Sequence, residues 1–412
     1  MRYEEVILAL EKRDMTMNRY EREEWDNFTK RINLSIAFPF VHIAGSNGKS
    51  STAYYLYKMY RAKGYKVALF SKPFLYKPNE MIVVDDAPIS DADFARLYSL
   101  HEKEIESENL SAFEIETYIA FAYFNEQKPD LAIIECGMGG MIDSTNILTA
   151  KPLLSIITTV SLEHTSFLGV SLSEISSHKA GIIKEGSPVL VGKLEEEAMK
   201  KIREVARALS SELFLVDDYH HDHYEAPYFH FSYRPYLDLA LLTPASYELS
   251  NASIALEATK ILANRYPLDE FSIRKGLLVE PLMCRYEKCH NIILDGAHNP
   301  EAIRALMTTL SRSSLNKRIH VLFASFRDKN IAVELPIIAN VASDITLTTF
   351  SHPRARTEMD YFLFLEDHHF VEDYRVALNN LIAQYPDDII VVTGSLAFAS
   401  IVRDYVKEVL KL

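Results

Sequence analysis

The stretch from Phe40 to Thr52, FVHIAGSNGKSST, constrains this chain more than any other. Its apolar run of Phe40, Val41 and Ile43 predicts a short strand, which gives way at once to Gly45, Ser46, Asn47, Gly48, Lys49, Ser50 and Ser51. Glycines allow a tight turn in which consecutive N–H groups face one anion. Lys49 adds a point charge there, and a hydroxyl after it suits Mg2+. Ala53, Leu56, Tyr57 and Tyr60 then recur at helical spacing, with Gly64 placed to end the helix, so a phosphate would sit at a helix N-terminus. Gly45 lies three residues before Gly48, closer than in the common GxxxxGK[ST] loop. The order of strand, glycine loop, lysine, hydroxyls and helix still predicts nucleotide binding.

At 412 residues the chain is long enough for two or three domains. Its 48% hydrophobic and 25% charged residues place it with globular proteins rather than disordered or membrane ones. No apolar run approaches the ~18 residues of a membrane span. The opening MRYEEVILALEKRD lacks the apolar core of a signal peptide, so a cytoplasmic protein is expected. Lys and Arg number 44 against 57 Asp and Glu, a formal charge of −13 that speaks against nucleic acid as a partner. Cys136, Cys284 and Cys289 are odd in number and lack CxxC spacing, so neither a disulfide framework nor a zinc site is indicated, and packing roles are expected.

The first 38 residues read as helical and polar around Trp25, a lid or flank. Strands follow at Lys66–Phe70, Leu131–Glu135, Leu153–Thr159 and Val189–Val191, separated by helical patterns, which predicts a parallel α/β sheet. Ser71, Glu135 and His164 each follow a strand's carboxyl end, where open α/β sheets bind ligands. A hydroxyl, a carboxylate and an imidazole converging near Lys49 would serve as Mg2+ ligands or orienters. Taken singly, a glutamate ending a strand, such as Glu135, is more often a solvated or capping group, and a loop histidine such as His164 is usually polar surface. Tyr228–Tyr233 alternates as a strand, and a helix is expected over Asn251–Ala263 with Ser250 as N-cap. Periodicity lapses over 280–290. NIILD, IHVLF, ITLTTF and DDIIVVTG then begin a second α/β series, with Asp295, Gly296, His298 and Asn299 after its first strand. The expected division is an ATP-binding domain over 1–281, a linker over 282–290 and a C-terminal domain over 291–412. A cleft between the two is the expected site.

Several of these segments together resemble the folylpolyglutamate synthase/dihydrofolate synthase family of the Mur ligase superfamily, over about residues 40–400. VHIAGSNGKSS is similar to its phosphate loop, Phe113–Glu114 followed by Thr117 to its substrate-side helix, and ECGMGGMIDSTN to its glycine segment. EHTSFLG, HKAGIIK, Asn251 in SNA, Arg285, LDGAHNP, HPRA at His352–Ala355 and GSL at Gly394–Leu396 follow in order. The fold so implied is a P-loop-containing parallel-sheet ATPase domain followed by a smaller Rossmann-like glutamate-ligase domain. The activity implied is an ATP-dependent amide ligase: a folate γ-carboxylate attacks the γ-phosphate, an acyl phosphate forms, and the amine of L-glutamate displaces phosphate.

On the resemblance, Gly45 to Ser51 bind the ATP phosphates, with Lys49 stabilising charge. Asn251, Arg285 and Asp295 touch ATP. Ser71, Glu135 and His164 hold Mg2+, and Lys179 carries a carbamate that serves a second ion. His298 orients glutamate. Phe113, Glu114, Met141 and Asp143 lie on the acceptor side. A reduced folate and L-glutamate are the implied partners, with no nucleic acid or membrane and a monomeric chain. Without the resemblance, Lys179 reads as a surface helix lysine. The chain departs from the family pattern at Lys72-Pro73-Phe74, at Met81 and Met141 where arginines are usual, at Tyr247-Glu248 for His-Gln, and at Met283-Cys284 for Pro-Gly. Alternatives are a diverged ligase for another carboxylated acceptor and a weakly catalytic nucleotide- or folate-binding regulatory paralogue.

Overall fold

Runs such as Val67–Phe70 and Leu131–Glu135 lack the alternation of a half-exposed strand, and each is buried along its whole length. This is what a sheet covered on both faces requires. A computed structural model describes residues 1–16, 22–72, 74, 76–147, 149–313 and 317–410. Pro73 lies outside the described residues. The chain divides into two compact units, the first comprising Met1–His221, Phe231–Ala240 and Ser250–Val279, the second Asp222–His230, Leu241–Leu249 and Glu280–Leu412.

The first unit is built on eight strands: β1 (Phe40–Ala44), β2 (Val67–Phe70), β3 (Ile82–Val84), β4 (Ala87–Pro88), β5 (Leu131–Glu135), β6 (Leu154–Ile157), β7 (Val189–Val191) and β8 (Leu213–Leu215). Their order is β4-β3-β2-β5-β1-β6-β7-β8. The expected parallel pairing holds from β2 to β8, whereas β3 and β4 add an antiparallel edge. Register sets the site. Phe70 pairs with Ile134 and Ile43 with Glu135, so Ser71, Glu135 and the glycine loop emerge side by side at one end of the sheet.

The helix Lys49–Lys63 starts at Gly48 and stops at Gly64, both left-handed at φ 80° and 99°, as the sequence led us to expect. The N-terminal segment is a flank rather than a lid. Trp25 and Phe28 are buried, and Phe28 meets Tyr118 edge to face at 5.3 Å, joining a large aromatic core. No described helix is long and apolar enough to cross a membrane.

Three further strands, β9 (His220–Glu225), β10 (Tyr228–Tyr233) and β11 (Tyr236–Leu241), form a small sheet whose residues are shared between the units. The helix after it runs Tyr247–Leu262, so Ser250 lies inside it and is not the N-cap expected from sequence. The second unit's sheet contains β12 (Glu287–Cys289), β13 (Ile292–Leu294), β14 (Ile319–Phe323), β15 (Asp344–Thr349), β16 (His369–Asp373) and β17 (Ile389–Thr393). Its order is β12-β13-β17-β14-β15-β16, parallel except for β12. β16 was not foreseen; its HFVED carries too little apolar alternation to stand out. The three cysteines are free and buried, as expected.

The helix Glu270–Leu277 lies directly on Lys49–Lys63, and a Cβ at Gly276 would overlap the Met59 main chain. Gly276→Ala should therefore cost about 1–3 kcal/mol of stability, read by urea denaturation. An unchanged midpoint would mean that this helix does not brace the phosphate-loop helix.

Candidate functional site

The glycine loop turns back at the end of β1 and is held from behind by two threonines that the sequence reading missed. Asn47 donates its N–H to Thr159 Oγ1 at 2.8 Å, Thr158 Oγ1 donates to the Asn47 carbonyl at 2.7 Å, and Ser46 N–H donates to the Thr159 carbonyl at 2.9 Å. Both threonines follow β6, one more strand end. Gly48 is required as glycine, because its φ is 80° and a Cβ would overlap Asn251 Oδ1. Asn251, predicted from far along the chain, is thus seated against the loop. Lys49 Nζ donates to the carbonyls of Gly45 (2.9 Å) and Ser46 (3.3 Å), across the loop's mouth.

Beside the loop sits the buried Glu135 carboxylate. Ser50 Oγ donates to Oε1 at 2.9 Å, while Ser71 Oγ and the Lys72 N–H donate to Oε2 at 2.5 and 3.2 Å. Burial pushes this carboxyl up, and Lys49 with the two serines opposes the shift. Among the described residues no three His, Cys, Asp or Glu side chains gather as a metal site. The oxygen set here is instead one carboxylate and two hydroxyls, a sparse set of the kind magnesium completes with water and phosphate, so the residues present fit that ion.

Further along the same sheet end, Lys179 is fully buried and its Nζ donates to Glu163 Oε1 at 2.7 Å. The surface lysine suggested by sequence alone is therefore corrected. Burial lowers the Lys179 pKa, with Glu163 opposing. For Glu163, burial would raise the carboxyl, but Lys179, Lys49 and His164 outweigh it and hold it well below the usual range. His164 opens the short helix Thr165–Leu168 in a left-handed conformation, φ 46°. Glu163 was not singled out from sequence, although its place beside His164 is the signal that could have found it.

The residues assigned to the acceptor side divide by role. Phe113 stacks on Phe70 at 5.9 Å. Glu114 closes a capping box, accepting from Ser111 N–H and Oγ at 2.7 Å each. Met141 has an exposed side chain, whereas Asp143 is buried and accepts from Met138 N–H, Thr145 N–H and Thr145 Oγ1. Thr145 Oγ1 is in turn hydrogen-bonded to His42 Nε2 at 2.9 Å. Arg22, also unforeseen, donates to the Asp143 and Asn146 carbonyls and pairs with Asp26, so the N-terminal flank secures this loop.

In the second unit Asp295 ends β13, buried. Oδ2 accepts from Tyr247 Oη (2.7 Å) and Tyr286 N–H (2.9 Å), and Oδ1 accepts from Ala297 N–H (2.8 Å). Burial raises the Asp295 carboxyl and Arg285 is the main group opposing it. His298 Nδ1 bonds the Gly296 carbonyl at 2.8 Å. A cavity of about 1300 Å³ in this unit, lined by Thr243, Tyr286, Glu287, Lys288 and Arg403 among others, contains none of the predicted residues.

Residues 43–257 match the Mur ligase middle domain and residues 283–396 the Mur ligase glutamate ligase domain, which makes the class that of the Mur ligases. The chain is 32% identical over 389 residues to folylpolyglutamate synthase of Lacticaseibacillus casei, covering 88% of this chain and 89% of that protein. It is 30% identical to the dihydrofolate synthase/folylpolyglutamate synthase of Bacillus subtilis strain 168, covering 89% and 90%. A folylpolyglutamate synthase solved with AMPPCP and folate superposes with a TM-score of 0.85 at 27% identity, covering 98% of this chain and 99% of that one. The chain belongs to the folylpolyglutamate synthase/dihydrofolate synthase family.

His42 supplies a pH test of the acceptor-side network. Full burial pushes its pKa from 6.5 down to about 3. Between those values the unfolded chain binds the proton and the folded one does not, so stability falls as pH drops below the unfolded value, by up to ~1.4 kcal/mol per pH unit for one proton. Urea midpoints from about pH 7 to about pH 5 should fall for the native protein and fall less for His42→Gln. Equal slopes would contradict a neutral buried His42.

Proposed function

We propose that this chain is an ATP-dependent ligase that adds L-glutamate to the γ-carboxylate of a reduced folate through an acyl phosphate, releasing ADP and phosphate. The observation that carries this reading is the joining of the glycine loop to the Ser50–Glu135–Ser71 cluster. Binding of a nucleotide alone has no need of a buried carboxylate and a second strand's hydroxyl at the loop's edge. Transfer of the γ-phosphate does, because its charge must be neutralised where the attacking oxygen arrives.

In this reading Gly45 to Ser51 cradle the phosphates of ATP, and Lys49 turns from the loop carbonyls to the phosphate oxygens. Ser71, Glu135 and His164 would hold Mg2+, with the Ser50 hydroxyl beside them, and Lys179 would serve a second ion. When bound, magnesium screens the phosphate charge and fixes its oxygens. Asn251 abuts the nucleotide from the loop's side. Arg285 and Asp295 contact ATP from a C-terminal domain that begins after a linker at 282–290, and His298 orients the incoming glutamate. Phe113, Met141 and Asp143 border the acceptor, Asp143 by shaping the loop and Glu114 by ending the helix that presents Phe113. The proposed enzyme is a monomer that works in the cytoplasm.

Lys179 would take up CO2. Its buried amine is pulled toward the neutral form that reacts, and the resulting carbamate would face Glu163, so a cation between the two anions is required. Labelling with carbon-13 bicarbonate should give a carbamate carbon resonance that Lys179→Ala loses. Its absence from the active native protein would refute the modification.

The reaction is tested by ADP release with ATP, Mg2+ and L-glutamate in the presence of tetrahydrofolate, of dihydropteroate, or of no acceptor, with products weighed by mass spectrometry. Tetrahydrofolate should gain glutamate, and Lys49→Ala should lower the rate about 100-fold or more. Tight nucleotide binding without extension of either acceptor would overturn the folate assignment.

A further inference from the structure

The reacting carboxylate of an acceptor is an anion that must approach a phosphate, itself an anion, and something has to receive it. Lys72 has the position for this. Its main chain is part of the buried cluster: the N–H donates to Glu135 Oε2, and the carbonyl lies 3.0 Å from Ser50 Oγ, sharing that hydroxyl's one proton with Glu135 Oε1. The peptide cannot shift without moving both the loop serine and the carboxylate. From that anchor the half-buried side chain brings Nζ to 4.2 Å from the centroid of the Phe113 ring.

Phe113 is itself fixed. It lies nearly parallel to Phe70, at 14° between planes, and it is seated over Gly137, where a Cβ would overlap the ring. On the far side the Lys72 charge reaches toward Asp143, among the groups that oppose the effect of burial on that carboxyl. The ammonium therefore stands between the phosphate loop's edge and the acceptor-side residues.

Three neighbouring cations have oxygen partners: Lys49 the loop carbonyls, Lys179 the Glu163 carboxylate, Arg22 Asp26 and two carbonyls. Among the described residues, Lys72 Nζ has the ring as its one direct contact, with Asp143 acting on it only through space. A ring face satisfies one side of an ammonium and leaves N–H donors for an anion that comes with the ligand.

We propose that Lys72 binds the reacting carboxylate of the acceptor and so selects acceptors that end in a free carboxylate beside the phosphate loop. The proposal rests on the ligase reading above. In the step itself, a carboxylate oxygen bonds to the γ-phosphorus as the bond from that phosphorus to the ADP oxygen breaks. Lys72 neither gives nor takes a proton; it balances negative charge on the carboxylate during approach. A lysine suits this because a single point charge tolerates the change from carboxylate to acyl phosphate, where a planar guanidinium would favour one geometry.

The test compares the full-length native protein with Lys72→Met and Lys72→Arg. Acceptor-dependent ADP release is read with tetrahydrofolate, and binding of AMPPCP is measured directly on each protein. Lys72→Met should raise the acceptor KM by about tenfold or more, the scale of one charge-assisted hydrogen bond, and leave AMPPCP affinity unchanged. Lys72→Arg should recover part of the loss.

A second readout is competitive inhibition by a folate whose γ-carboxylate is esterified, set against the free acid. The acid should prefer the native protein over Lys72→Met, and the ester should show no preference. Equal acceptor KM in the native and Met proteins, or a discrimination that the ester shares, overturns the proposal. So does parallel loss of AMPPCP binding, which would mean that Lys72 only supports the loop. If the native protein extends no folate while binding AMPPCP, the ligase reading itself has failed and this inference falls with it.

Discussion

A carboxylate buried at the end of a strand is expensive to charge: burial pushes the Glu135 carboxyl up, and two serine hydroxyls, one backbone N–H and the nearby Lys49 oppose that shift. These groups come from two separate stretches of the chain, the glycine loop and the end of β2, and sheet order brings them to Glu135. β2, β5 and β1 are adjacent and parallel, so their carboxyl ends supply Ser71, Glu135 and the glycine loop at one level. An antiparallel neighbour in place of any of them would have turned one end away. The helix Lys49–Lys63 leaves from the same level and directs its N-terminal N–H groups there, which adds positive potential to a site meant for phosphates. Electrostatics and topology thus specify one point, where, on the reading proposed above, a cation and the terminal phosphate of a nucleotide would meet.

Most of that point could be read from residues alone. Strand ends follow from short apolar runs, the loop from its glycines, and Ser71 and Glu135 from standing directly after such runs. Family resemblance then linked Asn251 to the loop, a tie that no local pattern contains because about 200 residues intervene. What escaped was anything whose meaning depends on tertiary burial. Lys179 reads as a surface lysine on a short helix, yet it is buried on Glu163. Trp25 sits among charges in sequence, although its face of the helix is core. Thr158, Thr159 and Arg22 act through backbone groups far away in sequence, which leaves no periodic trace. Ser250 followed a capping rule, but the helix had already begun at Tyr247, whose hydroxyl Asp295 claims.

The two sides of the site differ in how closely they keep to the family pattern, and the structure gives physical content to that difference. On the nucleotide side the matched residues are interlocked by hydrogen bonds, so a change at one exposes a buried partner. On the acceptor side Met81 is buried in the aromatic core and Met141 projects outward. Tyr247, where histidine is usual, donates to Asp295. Such positions can change with the substrate while the phosphate machinery stays as it is.

The central claim is that the acceptor's carboxylate attacks the γ-phosphate at the Glu135 cluster, and oxygen transfer tests it most directly. With the acceptor's γ-carboxylate carrying oxygen-18, turnover with ATP, Mg2+ and L-glutamate is followed by mass analysis of the released phosphate. An acyl phosphate places one labelled oxygen in each phosphate and leaves the other in the new amide. Phosphate released without label, alongside glutamate-extended product, would contradict the account.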